Sequence, residues 1–424
     1  MLNAPQPRSR LYTTAKAYAK ALTGVVGGLD DGKGSEITRF ERALEQRFAG
    51  CRAVAVPMAR VGIYLALKNS IRPGQKVVMS PYTISDVVNM VLCAGGVPLF
   101  ADIEPGATYN IDPDEVARLV MAEDDIGAVL VTHFYGLVCD LDPILAICRK
   151  KGIPVIEDAA QAFGAELEGR PAGTLADAGV FSFGLLKNIT GFLGGAVITR
   201  DAGLADKIRA DLREFATMSR QTLMKKVVSG AMFDLATFMP LFDTSVYWLF
   251  RYAYLHDLDF FNNKLDTDSN PVAYGDFPPR YSYRMSGVQA DIICDQFDRV
   301  SEQAVERIAN AKRYHDGLAD IPGIALPPMR SDRSHIYLYY TVQCEDRDAV
   351  AKTMTRKLRD VQISHHRNCA ALPCFAKFAA DCPNAARAER CALYLPTYPG
   401  YRAEQIEANV ASIRAYFREG NAWT

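Results

Sequence analysis

The sequence predicts an α/β protein with a large, doubly wound, mostly parallel sheet and a smaller C-terminal α/β unit. Three observations predict it. From about residue 60 to 200, short apolar runs alternate with segments of helical spacing. Those runs are continuous rather than alternating, which marks strands buried on both faces. Beyond residue 286 a long helical stretch gives way to a second, shorter set of strand and helices.

In order, Val61 to Leu67 has helical spacing and Lys76 to Ser80 reads as a buried strand. Asp86 to Cys93 reads as helix, Val97 to Ala101 as strand, and Pro113 to Met121 as helix with Asp112 placed to cap it. Strands recur at Ala128–Val131, Pro154–Ile156, Val180–Phe183 and Ala196–Thr199, with a helix at Asp142–Lys151. Residues 213–280 break this rhythm as an aromatic-rich insertion. The part from Met232 to Leu255 carries Asp234, Asp243 and Arg251, too many charges for a transmembrane span. It is expected to be an amphipathic helical hairpin packing on a partner subunit. Attachment of 232–255 to a membrane surface is the less favoured reading, because Lys225-Lys226 is the basic pair near it. A long helix is expected from Ser286 to about Ala319. A strand at Ile336–Thr341 and helices at Asp348–Leu358 and Glu404–Phe417 follow. The domain boundary is placed at 285/286, giving a large domain of 1–285 and a smaller one of 286–424.

The 424 residues carry 48 basic and 49 acidic side chains, a net charge of −1. That balance sets up no general field for nucleic acid or anionic lipid and points to a small-molecule partner. The N-terminus lacks an apolar signal core, so a cytoplasmic protein is expected. The ten cysteines contain no CxxC pair, and the gaps among Cys369, Cys374, Cys382 and Cys391 fit no zinc pattern. Free thiols and no metal are expected.

The chemistry concentrates in two segments, Ile156 to Gly164 and Phe181 to Lys187. Asp158 and Lys187 each stand just past an expected strand, with Ser182 shortly before the lysine and Gly194-Gly195 after it. A carboxylate leaving an apolar strand needs a cationic partner, and the protonated ring nitrogen of pyridoxal phosphate is one. Lys187 supplies an amine able to form the Schiff base and later to act as a general base. Taken singly, such an Asp is usually a helix cap and such a Lys usually solvated. Their joint occurrence carries the reading. His133 reads equally as a pocket residue or a satisfied core histidine, and His365-His366-Arg367 as a phosphate contact or a solvated loop.

These segments resemble the DegT/DnrJ/StrS-type aminotransferases. The shared residues are Glu157 to Gly164, Ser182 to Lys187, Tyr135-Gly136, Asp140 to Asp142, Asp102, Arg284-Met285, Gln289-Ala290 and Leu395 to Pro399, across most of 34–417. The resemblance implies a PLP-dependent transferase fold of the aspartate aminotransferase type. It also implies transfer of an amino group from an amino acid, glutamate first, to a keto group, mostly of nucleotide-linked keto sugars. Pyridoxamine phosphate would be the intermediate. By the same resemblance Lys187 and Asp158 are catalytic, Gln161 lies near the ring hydroxyl and Ser182 binds phosphate. Ala59-Arg60 stands where the family has a Gly-Thr phosphate holder, and Ile84 where it has a stacking aromatic ring. Ser282 replaces an Asn that reaches the neighbouring subunit's phosphate, and Leu193 replaces a Glu. The family's sites are shared across a two-fold axis, which implies a homodimer with Ser282 and Arg284 near the partner's site. Two other readings stand beside it: the same enzyme acting on an apolar ketone or lipid, and a non-catalytic regulator on the same fold.

Overall fold

The structure, a computed structural model, describes residues 4–11, 13–27, 34–256 and 270–419. Its large sheet has seven strands: β1 Arg52–Val56, β2 Lys76–Met79, β3 Val97–Phe100, β4 Ile126–Thr132, β5 Val155–Asp158, β6 Ala178–Ser182 and β7 Gly195–Thr199. They lie in the order β1-β7-β6-β5-β4-β2-β3. β3, β2, β4, β5 and β6 pair in parallel, while β7 runs against both β6 and β1. Successive residues of each strand enter opposite cores. Val77, Met79, Ala128, Leu130 and Val180 face one cluster, and Val78, Val129, Val131 and Phe181 face the other. This two-sided burial is why the strands read as unbroken apolar runs. β1 escapes the sequence reading because Ala53 and Ala55 carry little apolar bulk, although both are buried.

The registers place the strand ends that matter side by side. Thr132 ends β4 opposite Asp158, the last residue of β5, and Asp158 pairs across to Val180 of β6. Ser182 ends β6 opposite Gly195, which faces Val56 on its other side. Polar side chains thus leave three adjacent strands at one edge, the edge where open α/β sheets bind ligands.

A four-stranded sheet forms the second unit: β8 Ile324–Ala325, β9 Tyr340–Cys344, β10 Gln362–Ile363 and β11 Ala392–Leu395, in the order β8-β9-β11-β10. Tyr340, Val342, Leu393 and Leu395 bury against Met354, Ile406 and Ile413 of the flanking helices. The strand expected at Ile336–Thr341 is displaced to Tyr340–Cys344. Ile336 and Leu338 instead donate to the carbonyls of Gly136 and Tyr135 at 3.0 and 2.8 Å, docking this stretch on the large sheet's loops. The long helix expected from Ser286 is two helices, Gly287–Cys294 and Val300–Leu318. A capping box of Ser286 and Gln289 starts the first. The chain breaks at Asp295-Gln296, and Gln296 turns inward to serve a loop described below.

The aromatic insertion splits between two supports. The helix Arg220–Ala236 packs on Ala15–Gly27, and the helix Tyr247–Leu255 packs on Arg347–Arg356. Tyr247 and Arg251 both donate to the Thr355 carbonyl, at 3.0 and 3.3 Å. Residues 257–269 of the insertion lie outside the described residues. No helix among the described residues is long and apolar enough to cross a membrane. All ten cysteines are free thiols.

Candidate active site

Asp158 is 5% exposed, and its carboxylate accepts from the Ala160 amide at 3.1 Å and from Thr132 Oγ1 at 3.5 Å. Among the described residues it forms no ion pair. Burial pushes its carboxyl above the usual range, and the Ala160 amide and Lys187 pull the other way. Lys187 is half-buried in the loop that joins β6 to β7. Burial draws its amine down to about 8, opposed by Asp158 and reinforced by Arg60. A buried carboxylate and a partly neutral amine therefore face one site, an arrangement suited to nucleophilic chemistry.

The loop holding Lys187 is tied on both sides. Phe183 donates to the Gly194 carbonyl at 2.8 Å, closing the antiparallel hairpin of β6 and β7. Asn188 donates to the Phe163 carbonyl at 2.9 Å, and Gln296 Nε2 donates to the Thr190 carbonyl at 2.7 Å. Phe192, at φ 65°, is fully buried and packs on Tyr18 with ring centroids 5.3 Å apart. Asn188, Thr190 and Gln296 had no signal in the sequence, because their partners are far away along the chain.

An anion cradle lies beside this loop. The helix Ala59–Lys68 begins after Met58, whose side chain supplies no cap, so the amides of Ala59 and Arg60 are open donors. Gly195 approaches so closely that a Cβ there would stand 2.9 Å from the Ala59 nitrogen and 2.7 Å from the Phe181 carbonyl oxygen. No larger residue fits without closing the cradle. Ser182, across the β6–β7 ladder from Gly195, keeps its hydroxyl without a protein hydrogen bond among the described residues. The guanidinium of Arg60 is itself engaged by Asp86 and donates to Tyr281 Oη at 3.0 Å. Its backbone amide and the remaining guanidinium donors are the groups left for an anion.

Gln161 accepts from the Tyr135 amide at 3.0 Å, and its Nε2 lies 3.5 Å from His366 Nε2. Ile84 is half-buried at the start of the helix Ser85–Cys93 and packs on the first core cluster. Ser282 is half-buried, and its carbonyl accepts from the Ala216 amide at 3.1 Å. Leu193 packs against the cluster containing Phe192 and Leu223.

His133 is a satisfied core histidine. Its Nδ1 accepts from the Cys139 amide at 3.1 Å, so Nε2 carries the proton and donates to Glu157 at 2.9 Å. Glu157, fully buried, also accepts from the amides of Gly173, Leu175 and Ala176, each at 2.7 Å. Replacing Glu157 by Ala strips four buried donors at once. Denaturant unfolding is expected to show a loss of about 3–5 kcal/mol.

The DegT/DnrJ/EryC1/StrS aminotransferase family matches residues 15–240 and 257–414, nearly the whole chain. The chain belongs to this family. The gap in the match, 241–256, falls within the aromatic insertion. Among DegT/DnrJ/EryC1/StrS relatives, the spore coat polysaccharide biosynthesis protein SpsC of Bacillus subtilis is 28% identical over 393 residues, covering 90% of each chain. GDP-perosamine synthase of Caulobacter vibrioides is 27% identical over 391 residues, again covering 90% of each. The solved aminotransferase of Psychrobacter cryohalolentis superposes with a TM-score of 0.75 at 22% identity, covering 97% of this chain and 99% of that one. As a family member the chain is an aminotransferase of α/β fold.

Proposed function

We propose that this aminotransferase uses pyridoxal phosphate to move an amino group from an amino acid, glutamate first, to the keto group of a nucleotide-linked sugar. The observation that carries the reading is Asp158, a buried carboxylate without an ion-pair partner, at the strand end beside the Lys187 loop. The residues fit the cofactor. Ser182 and the amides of Ala59 and Arg60 would hold its phosphate, Asp158 its ring nitrogen, and Ile84 would give an apolar contact. When bound, the cofactor draws electrons away from the carbon that carries the amino group. Lys187 would hold the cofactor and would serve as the base that moves the proton at that carbon. The sugar-nucleotide acceptor is supported by relatives such as GDP-perosamine synthase, which is named for a nucleotide-linked product.

We further propose a homodimer divided at 285/286 into a large and a small domain, with Ser282 and Arg284 beside the partner's site. Support comes from apolar side chains left exposed on the insertion and its neighbour, among them Val26, Met232 and Leu235. Light scattering should give twice the chain mass, and a monomeric mass overturns the shared site.

The first test is the visible spectrum of the purified protein, before and after glutamate. A yellow band that bleaches on adding glutamate is expected. No band after incubation with pyridoxal phosphate would refute the cofactor assignment. Only the neutral form of the Lys187 amine would be able to bond to the cofactor. Because burial lowers that amine to about 8, the rate of covalent loading should climb as pH rises through about 8 and then level off. Stopped-flow absorbance across that range checks it.

A further inference from the structure

Beside Lys187 lies a buried cluster that the functions assigned above do not use. Tyr82, Tyr135, Ser364, His366 and Tyr394 come from four separate stretches of chain and meet in one hydrogen-bonded network. Tyr82 Oη lies 3.0 Å from Tyr135 Oη and 2.7 Å from Ser364 Oγ. Tyr394 Oη lies 2.9 Å from Tyr135 Oη and 2.8 Å from Ser364 Oγ. His366 Nδ1 stands 2.8 Å from Tyr394 Oη and 3.1 Å from Tyr135 Oη. Burial holds Tyr135 and Tyr394 protonated far above the ordinary phenol range. Burial, with His365 and Lys187 nearby, holds His366 neutral. Tyr135 keeps a left-handed backbone, φ 53°, to take part, a conformation that a non-glycine residue holds only where its surroundings enforce it.

The contacts fix one proton arrangement. The Tyr135 amide is a donor, so the Gln161 atom it meets is the carbonyl oxygen, and Gln161 turns its NH2 toward His366. A donor at 3.5 Å requires an acceptor, so His366 Nε2 bears the lone pair and Nδ1–H donates to the tyrosine hydroxyls. Flipping the amide would set an NH2 against the Tyr135 amide, leaving a buried backbone donor without a partner.

We infer that His366 is a positioning residue: the tyrosine–serine network clamps it so that its Nε2 lone pair holds the Gln161 carboxamide with a donor, never an acceptor, offered beside Lys187. This rests on the proposed pyridoxal-phosphate reading, in which Gln161 lies near the ring hydroxyl. A hydrogen bond donated to that oxygen, when it is negatively charged, spreads its charge. The Lys187 nitrogen that would hold the cofactor would then keep its proton less tightly. The other charged or titratable groups facing the cluster are Tyr109, Tyr339, His365, Lys187, Arg347 and Glu389.

The test is a pH titration of the visible band of the pyridoxal-phosphate-loaded protein, with circular dichroism to confirm folding. His366→Phe removes the acceptor and is expected to raise the midpoint by about one pH unit, a tenfold change in proton affinity. His366→Gln, whose carbonyl reaches the Nε2 position, is expected to restore most of it. Tyr394→Phe deletes one hydroxyl that takes Nδ1–H and should shift the midpoint in the same direction by less, which keeps the test decisive if His366→Phe does not fold. An unchanged midpoint in a folded His366→Phe, or in a folded Tyr394→Phe should the first not fold, overturns the inference while leaving the cofactor assignment intact. A wild-type protein without any band overturns both.

Discussion

Replacing Lys187 by alanine is expected to abolish the covalent yellow band and to lower amino-transfer turnover by about 10⁴-fold or more. Two losses combine. The cofactor is no longer held through a covalent bond that the substrate can exchange, and no group is left to move the proton at the reacting carbon. Positioned proton transfer alone is worth about 10²–10⁴ in rate. The fold should tolerate the change. Lys187 Nζ makes no protein hydrogen bond among the described residues, and its loop is held by backbone bonds at Phe183 and Gly191 and by Asn188 and Gln296. Turnover that survives intact in a folded Lys187→Ala protein refutes its role.

Asp158→Asn separates the second function from the first. The band should persist, since Lys187 still attaches the cofactor, yet turnover should fall by about 10³-fold, or roughly 4 kcal/mol of barrier. A carboxamide cannot hold a protonated ring nitrogen as a charged partner. Stability should move the other way. Folding raises the Asp158 carboxyl above its unfolded value, so its contribution is favourable at low pH and fades as pH rises through the raised value. Above that raised value the cofactor-free protein bears a buried charge that Asn removes. The melting temperature of the cofactor-free variant should equal or exceed that of the parent, and a marked drop would mean that Asp158 is structural.

The reach of the sequence follows from how local each signal is. Asp158 and Lys187 were legible because a charge directly after an unbroken apolar run is conspicuous within one segment. The parallel strands were legible because both faces of each are buried. The cradle was half legible: Ala59-Arg60 marked the place, but that Arg60 pairs with Asp86 depends on packing between two helices. The displaced strand after Tyr339 reflects the same limit, since Ile336 and Leu338 bond to the Gly136 and Tyr135 carbonyls, some two hundred residues earlier. The His366 network was illegible, because Tyr82, Tyr135 and Tyr394 stand at unrelated points in the chain and only the topology unites them.

The reversed strand β7 has a consequence for how the site is assembled. A parallel successor to β6 would have required a crossover of a dozen or more residues along a face of the sheet, carrying the chain away from the ligand edge. By doubling straight back, the chain makes the Lys187 segment the tip of a hairpin. Its closing contacts, Phe183 with Gly191 and with Gly194, are local in the chain, so the loop-closure entropy is modest. Asp158 reaches the same edge through parallel pairing across much longer sequence separations. Of the two residues, the amine rides on the piece with the more local closure, which Asn188 and Gln296 then fasten to the rest, and the carboxylate arrives only when the sheet does.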